Sequence, residues 1–267
     1  MATLTAQPTT KPRRDLSREV GLRVVSVLSI FLVWLILSWV MGPKVVPGPV
    51  ETVQFLAKEH NDGRLWYHIG MTMWRVMVAF AITMLLGTII GVLSGASKTL
   101  DKLLEAWTVT GLAVPRILPV VVAYLLIGLN DTAAITALVI ILVPQVVVQM
   151  RESIRAMDTK LLEMARAFRR PRLQVWRQVI LPQMAPYLLG TARSALSLTW
   201  KMVVFAELLG RTNGVGYQIN FYFQMFEMRG ILAYGLAMTV VLAVVDLSIL
   251  YLSERTFRWR RPVEQVI

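Results

Sequence analysis

The stretch Ile69–Leu93, with the sequence IGMTMWRVMVAFAITMLLGTIIGVL, contains one charged side chain, that of Arg75, in 25 residues. An α-helix rises about 1.5 Å per residue and the hydrocarbon core of a bilayer is about 30 Å thick, so about 20 apolar residues cross it. The stretch therefore predicts a transmembrane helix.

Five further apolar runs of similar length occur along the chain. They are Leu22–Met41, Leu104–Leu129, Thr132–Met150, Tyr187–Leu209 and Ile231–Leu252. Pro115 and Pro119 interrupt the run from residue 104 to residue 129 and predict a bend there. The sequence thus predicts an all-α, polytopic membrane protein with about six transmembrane helices.

The predicted domain organisation is simple. Residues 1–21 form an N-terminal tail, residues 22–252 the transmembrane domain, and residues 253–267 a C-terminal tail. The first apolar run could also be a signal peptide. Its length and the absence of a small-x-small cleavage site after it favour a retained span.

The composition excludes several functional classes. Hydrophobic residues make up 56% of the chain, charged residues 16%, and the mean hydropathy is +0.59, whereas a soluble domain has about 45–50% apolar and about 25% charged residues. The lack of cysteine excludes disulfides and thiolate metal sites. With two histidines, no metal-ligand spacing, no nucleophile–base pair and no phosphate-binding loop, the chain is predicted to be no enzyme and to hold no metal.

The basic residues predict an orientation in the membrane. The net charge is +12, and 19 of the 28 Lys and Arg residues fall on one side of the predicted spans, with 5 on the other and 4 within spans. The positive-inside rule places the basic side, and both termini, in the cytoplasm. The excess positive charge is thus explained by orientation in a lipid bilayer, which the chain is predicted to cross several times, and no nucleic-acid partner is expected.

Three glycines follow one another at intervals of four in the second span, at Gly87, Gly91 and Gly95. Small residues at this spacing let another helix approach closely. The neighbour could be a helix of the same chain, which we favour, or one of a second subunit.

The longest cytoplasmic loop extends from about Arg151 to Pro186. Its apolar residues have helical spacing in two sets, separated by Arg170-Pro171, and Pro182 is predicted to end the second helix. The sets are Leu161, Ala165 and Phe168, then Leu173, Trp176 and Ile180. Two amphipathic helices of this kind could dock another protein, lie on anionic lipid, or form a solvated connector.

This loop resembles the EAA loop of ABC-transporter permeases. That signature begins Glu-Ala-Ala, has a Gly six positions after the Glu, and ends with an apolar residue followed by Leu-Pro. The matching segments are EMARAF at residues 163–168 and VILP at residues 179–182. The resemblance implies an ATPase-coupling role for Glu163, Met164, Ala165, Phe168, Arg169, Leu181 and Pro182.

Two of these positions depart from the signature. Met164 replaces an Ala, and Arg169 occupies the place of the Gly. Because Gly permits a left-handed turn, Arg169 implies either a different turn geometry or a strained residue.

Further segments resemble the nitrate/sulfonate/taurine branch of these permeases. They are VPGP at residues 46–49, LTWK at 198–201, AELLG at 206–210 and GVGY at 214–217. The resemblance covers about residues 45–260 and implies the fold of a type I importer permease. It also implies two permease subunits (here a homodimer), two separate ATPase subunits that bind the ATP, and an extracytoplasmic solute-binding protein. No cofactor is expected on this chain.

Ionisable residues within spans are candidates for the transport pathway, because burying them in a bilayer costs a few kcal/mol or more. We single out Arg75, Arg116, Lys201 and Glu207 and expect Lys201, with Arg75 or Arg116, to favour anionic substrates. The alternative is ion pairing within the bundle, of Lys201 or Arg75 with Glu207 or Asp246. Arg193 is predicted to reach the cytoplasmic interface.

The sequence therefore predicts a permease subunit of an ATP-driven importer for a small anionic solute. An ion-coupled secondary transporter is the alternative, although the inverted repeats of that class are not apparent. A membrane scaffold or lipid-binding protein is a third interpretation.

Overall fold

The computed structural model describes residues 16–256, and all the regular structure in that part of the chain is helical. The helices are α1 Leu16–Met41, α2 Pro49–Asn61, α3 Arg64–Ala96, α4 Lys98–Ala113, α5 Ile117–Ile127, α6 Asp131–Arg155, α7 Thr159–Ala167, α8 Arg172–Val175, α9 Leu181–Gly210, α10 Val215–Gln224 and α11 Met228–Thr256. Residues 1–15 of the predicted N-terminal tail and residues 257–267 of the predicted C-terminal tail lie outside the described residues.

The predicted spans correspond to helices, but not all of them are equally apolar. Among the described residues, α1, α3, α6 and α11 are long and apolar enough to cross a membrane. The pair α4 and α5 passes the same test as one unit and is bent by 95° at the break before Ile117. The predicted bend is thus confirmed, and Pro115 lies in it.

The predicted span Tyr187–Leu209 lies within α9, which has 30 residues and so a length of about 45 Å. α9 is long enough to cross a bilayer, yet it is absent from the set of apolar helices, and it carries Arg193 and Lys201. By length and composition the described residues therefore contain four spans, or five if α4 and α5 form one span, where about six were predicted.

Helices α3 and α6 lie side by side and run in the same direction, and the three glycines of α3 form their contact. A Cβ atom added at Gly87 would lie 2.6 Å from Val146, and one at Gly91 would lie 2.6 Å from Met150. A Cβ at Gly95 would lie 2.8 Å from Ile154. The glycine spacing thus serves packing within the chain, as favoured from the sequence.

The ends of the bundle differ. The loop end carries α7, α8 and the last turns of α3 and α6, and there the side chains of Arg151 and Arg155 bind Asp101 of α4 at 3.1 and 2.5 Å. The opposite end carries α2, α10 and the starts of α3 and α6. We call these two ends of the bundle the loop end and the opposite end.

Helix α2 packs against α3 and α11, with Glu59 buried. The Glu59 carboxylate accepts hydrogen bonds from Tyr222 and Tyr234 at 3.1 and 2.7 Å and lies 3.0 Å from Arg64. Burial, with Glu59 beside it, raises the pKa of Tyr222 to about 12, so the phenol stays protonated and keeps donating.

The second helix of the loop between α6 and α9 does not end at Pro182, contrary to the prediction. α8 continues through a π-helical turn, Trp176–Ile180, directly into α9, whose second residue is Pro182. In this turn the N–H of Leu181 donates to the carbonyl of Trp176, five residues back. The widened turn accommodates a proline, which lacks an N–H and clashes with a regular helix.

We predict that Gly91→Ala destabilises the protein, because its Cβ would lie 2.6 Å from Met150 Cβ and 2.7 Å from the Val147 carbonyl. Overpacking of this kind costs about 1–3 kcal/mol. Gly70→Ala on the same helix is the matched control, since no atom lies within 4 Å of its added Cβ. The thermal unfolding of both variants in detergent checks this, and equal midpoints would contradict the proposed packing.

Candidate functional site

The side chain of Arg75 is fully buried at the opposite end, where it joins α3, α6 and α9. Its Nη1 lies 2.5 Å from Oε1 of Glu207, and its Nε lies 2.7 Å from Oδ1 of Asp131. The same guanidinium donates to the carbonyl oxygen of Asn213 at 3.0 Å and to its side-chain oxygen. One cation thus binds two helices and the loop that follows α9.

Glu207 is as deeply buried and is fully hydrogen-bonded. Besides Arg75, its carboxylate accepts the hydroxyl of Thr72 and the N–H of Gly216, each at 2.9 Å. A side chain at Gly216 would meet the Val204 carbonyl at 2.1 Å, so glycine is required where this loop folds against α9. Two of the four pathway candidates are therefore an ion pair that holds helices together, the alternative left open by the sequence.

The other two pathway candidates differ from this pair. Arg116 and Lys201 are both exposed, and the Lys201 amine lies 6.0 Å from the centre of the Trp200 ring. Neither forms an ion pair with a residue that the structure describes. Arg75 is enclosed by its acidic partners, and the expectation that Lys201 acts with Arg75 or Arg116 on anionic substrates stays a prediction.

Arg193, which was predicted to reach the cytoplasmic interface, forms an ion pair with Asp246 of α11. Its Nε and Nη2 each lie 2.7 Å from a different oxygen of Asp246, so α9 and α11 are joined by a two-pronged ion pair.

The predicted coupling loop folds as α7, a turn, and α8. The Asp158 carboxylate accepts the N–H of Lys160 at 2.9 Å and so caps α7. Ala165 faces inward and is buried, whereas Glu163 is exposed. Met164 is 50% and Phe168 72% exposed. α7 thus presents one carboxylate and two large apolar side chains outward.

Arg169 adopts a left-handed conformation, with φ +49°. The N–H of Arg169 donates to the carbonyl of Arg166, and that of Arg170 donates to the carbonyl of Ala165. These are the two hydrogen bonds of a Schellman turn, which usually has glycine at this position. Of the two alternatives, Arg169 is the strained residue, at a cost of about 1–2 kcal/mol, and the turn geometry is the usual one.

The rest of the loop continues this surface. Leu173, Trp176 and Leu181 are exposed by 70%, 45% and 59%, and Pro182 is half-buried beside them. A hollow of about 410 Å³ lies between α7 and α8. Its lining combines apolar side chains with the guanidinium groups of Arg166, Arg170 and Arg172. We call the exposed residues of the segment 159–182 the docking surface.

Residues 84–258 match the family model described as "Binding-protein-dependent transport system inner membrane component". The matched region includes the docking surface, the glycines of α3, and most of the bundle. The chain belongs to this family. Members are permeases of ABC importers rather than enzymes, so this permease is a membrane transport subunit, and the secondary-transporter and scaffold alternatives are set aside.

Curated relatives agree with this assignment. A protein of Bacillus subtilis, named as an aliphatic sulfonates transport permease, is 27% identical over 237 residues, which cover 88% of this chain and 86% of the relative. The taurine transport system permease of Escherichia coli is 25% identical and covers 95% of each chain. The nitrate import permease of Synechococcus elongatus is 23% identical and covers 88% of this chain and 86% of the relative.

Solved structures support the fold. A chain from an amino acid ABC transporter superposes with a TM-score of 0.61 at 21% identity, over 76% of this permease and 98% of that chain. A chain of the MetNI methionine ABC transporter in an inward-facing conformation superposes with a TM-score of 0.57 at 20% identity. It matches 74% of this permease and 95% of that chain.

Several residues of these sites were not singled out from the sequence. Asp131 and Asn213 complete the shell around Arg75, and Asp131 also lies 3.0 Å from Arg211. The sequence contains one indication that Asp131 could pair with Arg75. Asp131 directly precedes the predicted span Thr132–Met150, at the end of the bundle where Arg75 lies. No local pattern indicates Asn213.

We predict that Glu207→Gln lowers the stability of the permease by about 3–5 kcal/mol, the usual cost of removing one partner of a buried ion pair. The matched control is Glu163→Gln, which removes the same charge from an exposed position and should leave stability unchanged. Thermal unfolding in detergent measures both. If the two variants unfold at the same temperature, the Arg75 cluster is not a structural centre.

Proposed function

We propose that this permease imports a small organic anion through a pathway lined by α9, driven by separate ATPase subunits that dock on the docking surface. An extracytoplasmic binding protein delivers the solute, and a second copy of the chain completes the pathway. The observation that carries the proposal is the exposed docking surface, in a chain that belongs to the binding-protein-dependent permease family.

The exposure of large apolar side chains supports docking of a protein. Phe168 and Leu173 are the most exposed of these, and contiguous apolar patches on a surface usually mark an interaction site. An anionic lipid surface would attract the arginines, but it would repel the carboxylate of Glu163, which projects from the same helix. A protein groove with a basic residue opposite Glu163 satisfies both features.

The charge distribution supports a cytoplasmic location for the docking surface. The loop between the fourth and fifth predicted spans holds 8 of the 28 Lys and Arg residues, and the positive-inside rule assigns such a loop to the cytoplasm. Both termini then lie on the same side. ATPase subunits, which supply the ATP site that this chain lacks, would meet the docking surface there.

The continuity of α8 with α9 supports mechanical coupling. A displacement of Leu173 or Trp176 by a partner acts on the π-helical turn and then on the start of α9. Helices move largely as rigid bodies in such transitions. Closure of the ATPase dimer would therefore shift the face of α9 that carries Lys201.

The polar face of α9 supports an anion pathway. Arg193, Ser197 and Lys201 lie four residues apart along the helix and are all exposed. Because charged groups in contact with lipid tails are costly, this face is better placed towards water or a second subunit. Asp246 neutralises Arg193, so Lys201 gives this face its net positive charge, which favours an anion, in keeping with the sulfonates, taurine and nitrate named for the relatives.

We predict that Glu163→Lys combined with Phe168→Asp prevents co-purification of the ATPase subunit in detergent, because the pair removes the carboxylate and the most exposed apolar side chain of the docking surface. The matched control is Glu227→Lys with Phe226→Asp, the same substitutions at the opposite end, where Phe226 is 93% exposed. That control should retain the ATPase. Loss in both variants, or in neither, contradicts the docking assignment.

A further inference from the structure

The docking surface carries far more positive than negative charge. Segment 159–182 holds one acidic residue, Glu163, and six basic residues, all of which are exposed. The basic residues are Lys160, Arg166, Arg169, Arg170, Arg172 and Arg177. None of these six forms an ion pair with a residue that the structure describes. The docking surface therefore presents a positive charge that its own fold does not neutralise.

The acidic side chains that precede this segment already have partners. Asp101 binds Arg151 and Arg155 at 3.1 and 2.5 Å, and Glu152 lies 3.2 Å from each of these two arginines. The Asp158 carboxylate caps α7. Because these carboxylates are engaged, they do not compensate the basic side chains of the docking surface.

Three of the six basic side chains surround one hollow. The hollow of about 410 Å³ between α7 and α8 is lined by Arg166, Arg170 and Arg172, together with apolar residues that include Trp176. Guanidinium groups that face one space repel one another, and water and salt weaken this repulsion only while the hollow is open to solvent. A negatively charged group in the hollow removes the repulsion.

The left-handed turn at Arg169 fixes two of these three arginines. The carbonyl of Arg166 accepts the N–H of Arg169 at 2.9 Å, and the N–H of Arg170 donates to the carbonyl of Ala165 at 3.1 Å. The strained turn therefore holds like charges beside the same hollow. Strain that is kept in a folded protein is often found where a partner binds.

We propose that this hollow accepts carboxylate side chains of the docked ATPase subunit. The inference rests on the proposed function and specifies the chemistry of the partner, which carries a cluster of Asp or Glu residues opposite α7 and α8. Arginine binds a carboxylate through two parallel N–H···O hydrogen bonds, so three guanidinium groups suit such a cluster. Trp176 packs against the methylene groups of these acidic side chains.

Burial of the docking surface makes acids on the partner necessary. Phe168 and Leu173 are the most exposed large apolar side chains of the docking surface, and they lie at the end of α7 and in α8. A protein that covers both also covers the hollow between these helices. A guanidinium that loses water without gaining an acid is strongly destabilised. The contact is therefore reciprocal, because the permease offers one carboxylate, Glu163, and receives others in the hollow.

The test measures the affinity of the purified ATPase subunit for the permease in phosphatidylcholine nanodiscs. Arg170→Gln combined with Arg172→Gln removes two positive charges from the hollow. We expect the affinity to fall at least about tenfold, as the loss of a charged hydrogen bond implies. Higher ionic strength should weaken the binding of wild type more than that of this variant, because salt screens the contacts that the variant lacks.

The matched control is Lys98→Gln combined with Lys102→Gln. It removes two exposed positive charges of α4 at the loop end, outside the docking surface. The control should bind the ATPase as wild type does. Both double variants should unfold at the temperature of wild type, since the substituted side chains are exposed.

A further variant identifies the chemical group on the partner. Arg170→Lys keeps the positive charge and provides an amine, which a carbodiimide joins to a carboxylate as an amide with loss of water. We expect a covalent product with the ATPase in which the linked peptide contains position 170. Wild type should give no link at that position, because its guanidinium does not form this amide.

Three results overturn the inference. Equal affinities of the hollow variant and the control show that the hollow receives no acid of the partner, and so does a linked product that never includes position 170. If the hollow variant loses affinity only after phosphatidylglycerol is added to the nanodiscs, the arginines bind anionic lipid instead.

The failure of this inference is distinguishable from failure of the proposed function. If wild type binds the ATPase and Glu163→Lys with Phe168→Asp does not, the proposed docking stands whatever the hollow variant shows. If wild type does not bind the ATPase, the proposed function and the inference fail together.

Discussion

The rest of the structure depends on the burial of one guanidinium group. Arg75 is fully enclosed, so its charge must be neutralised within the protein, and Glu207 and Asp131 do this from two other helices. Desolvating such a group is tolerable only with good geometry and complete hydrogen bonding. The cluster therefore fixes how α3, α6 and α9 meet at one end, while the glycines of α3 fix the contact of α3 with α6 along its length.

Because the Arg75 cluster fixes the helices at the opposite end, a partner can displace them at the loop end. Asp101 joins α4 to α6 near the docking surface, but α7 and α8 expose most of their large side chains. α8 runs into α9 without a break, and α9 carries both Glu207 at the held end and the exposed Lys201 in between. A force on the docking surface is thus passed to the helix that carries the exposed Arg193, Ser197 and Lys201.

Much of this follows from patterns in neighbouring residues. Hydropathy predicts the long helices, the interval of four predicts the glycine contact, and the two amphipathic sets predict α7 and α8. Ion-pair partners do not follow from such patterns, because Asp131 and Asn213 lie 56 and 138 residues from Arg75. The prediction that Pro182 ends a helix was wrong for a different reason. The π-helical turn before it compensates for the missing N–H, and no local sequence pattern indicates such a turn.

The most direct test of the coupling account uses the fact that the chain has no cysteine, which allows spin labels at chosen sites of the permease–ATPase complex. One pair of labels, at Leu173 and Leu188, spans the π-helical turn. Another pair, at Ser197 of α9 and Thr239 of α11, spans the cavity between these two helices. The account predicts that trapping the ATP-bound state leaves the first distance unchanged and alters the second. A changed first distance with a constant second one would show that the turn is a hinge that absorbs the motion, and would contradict the account.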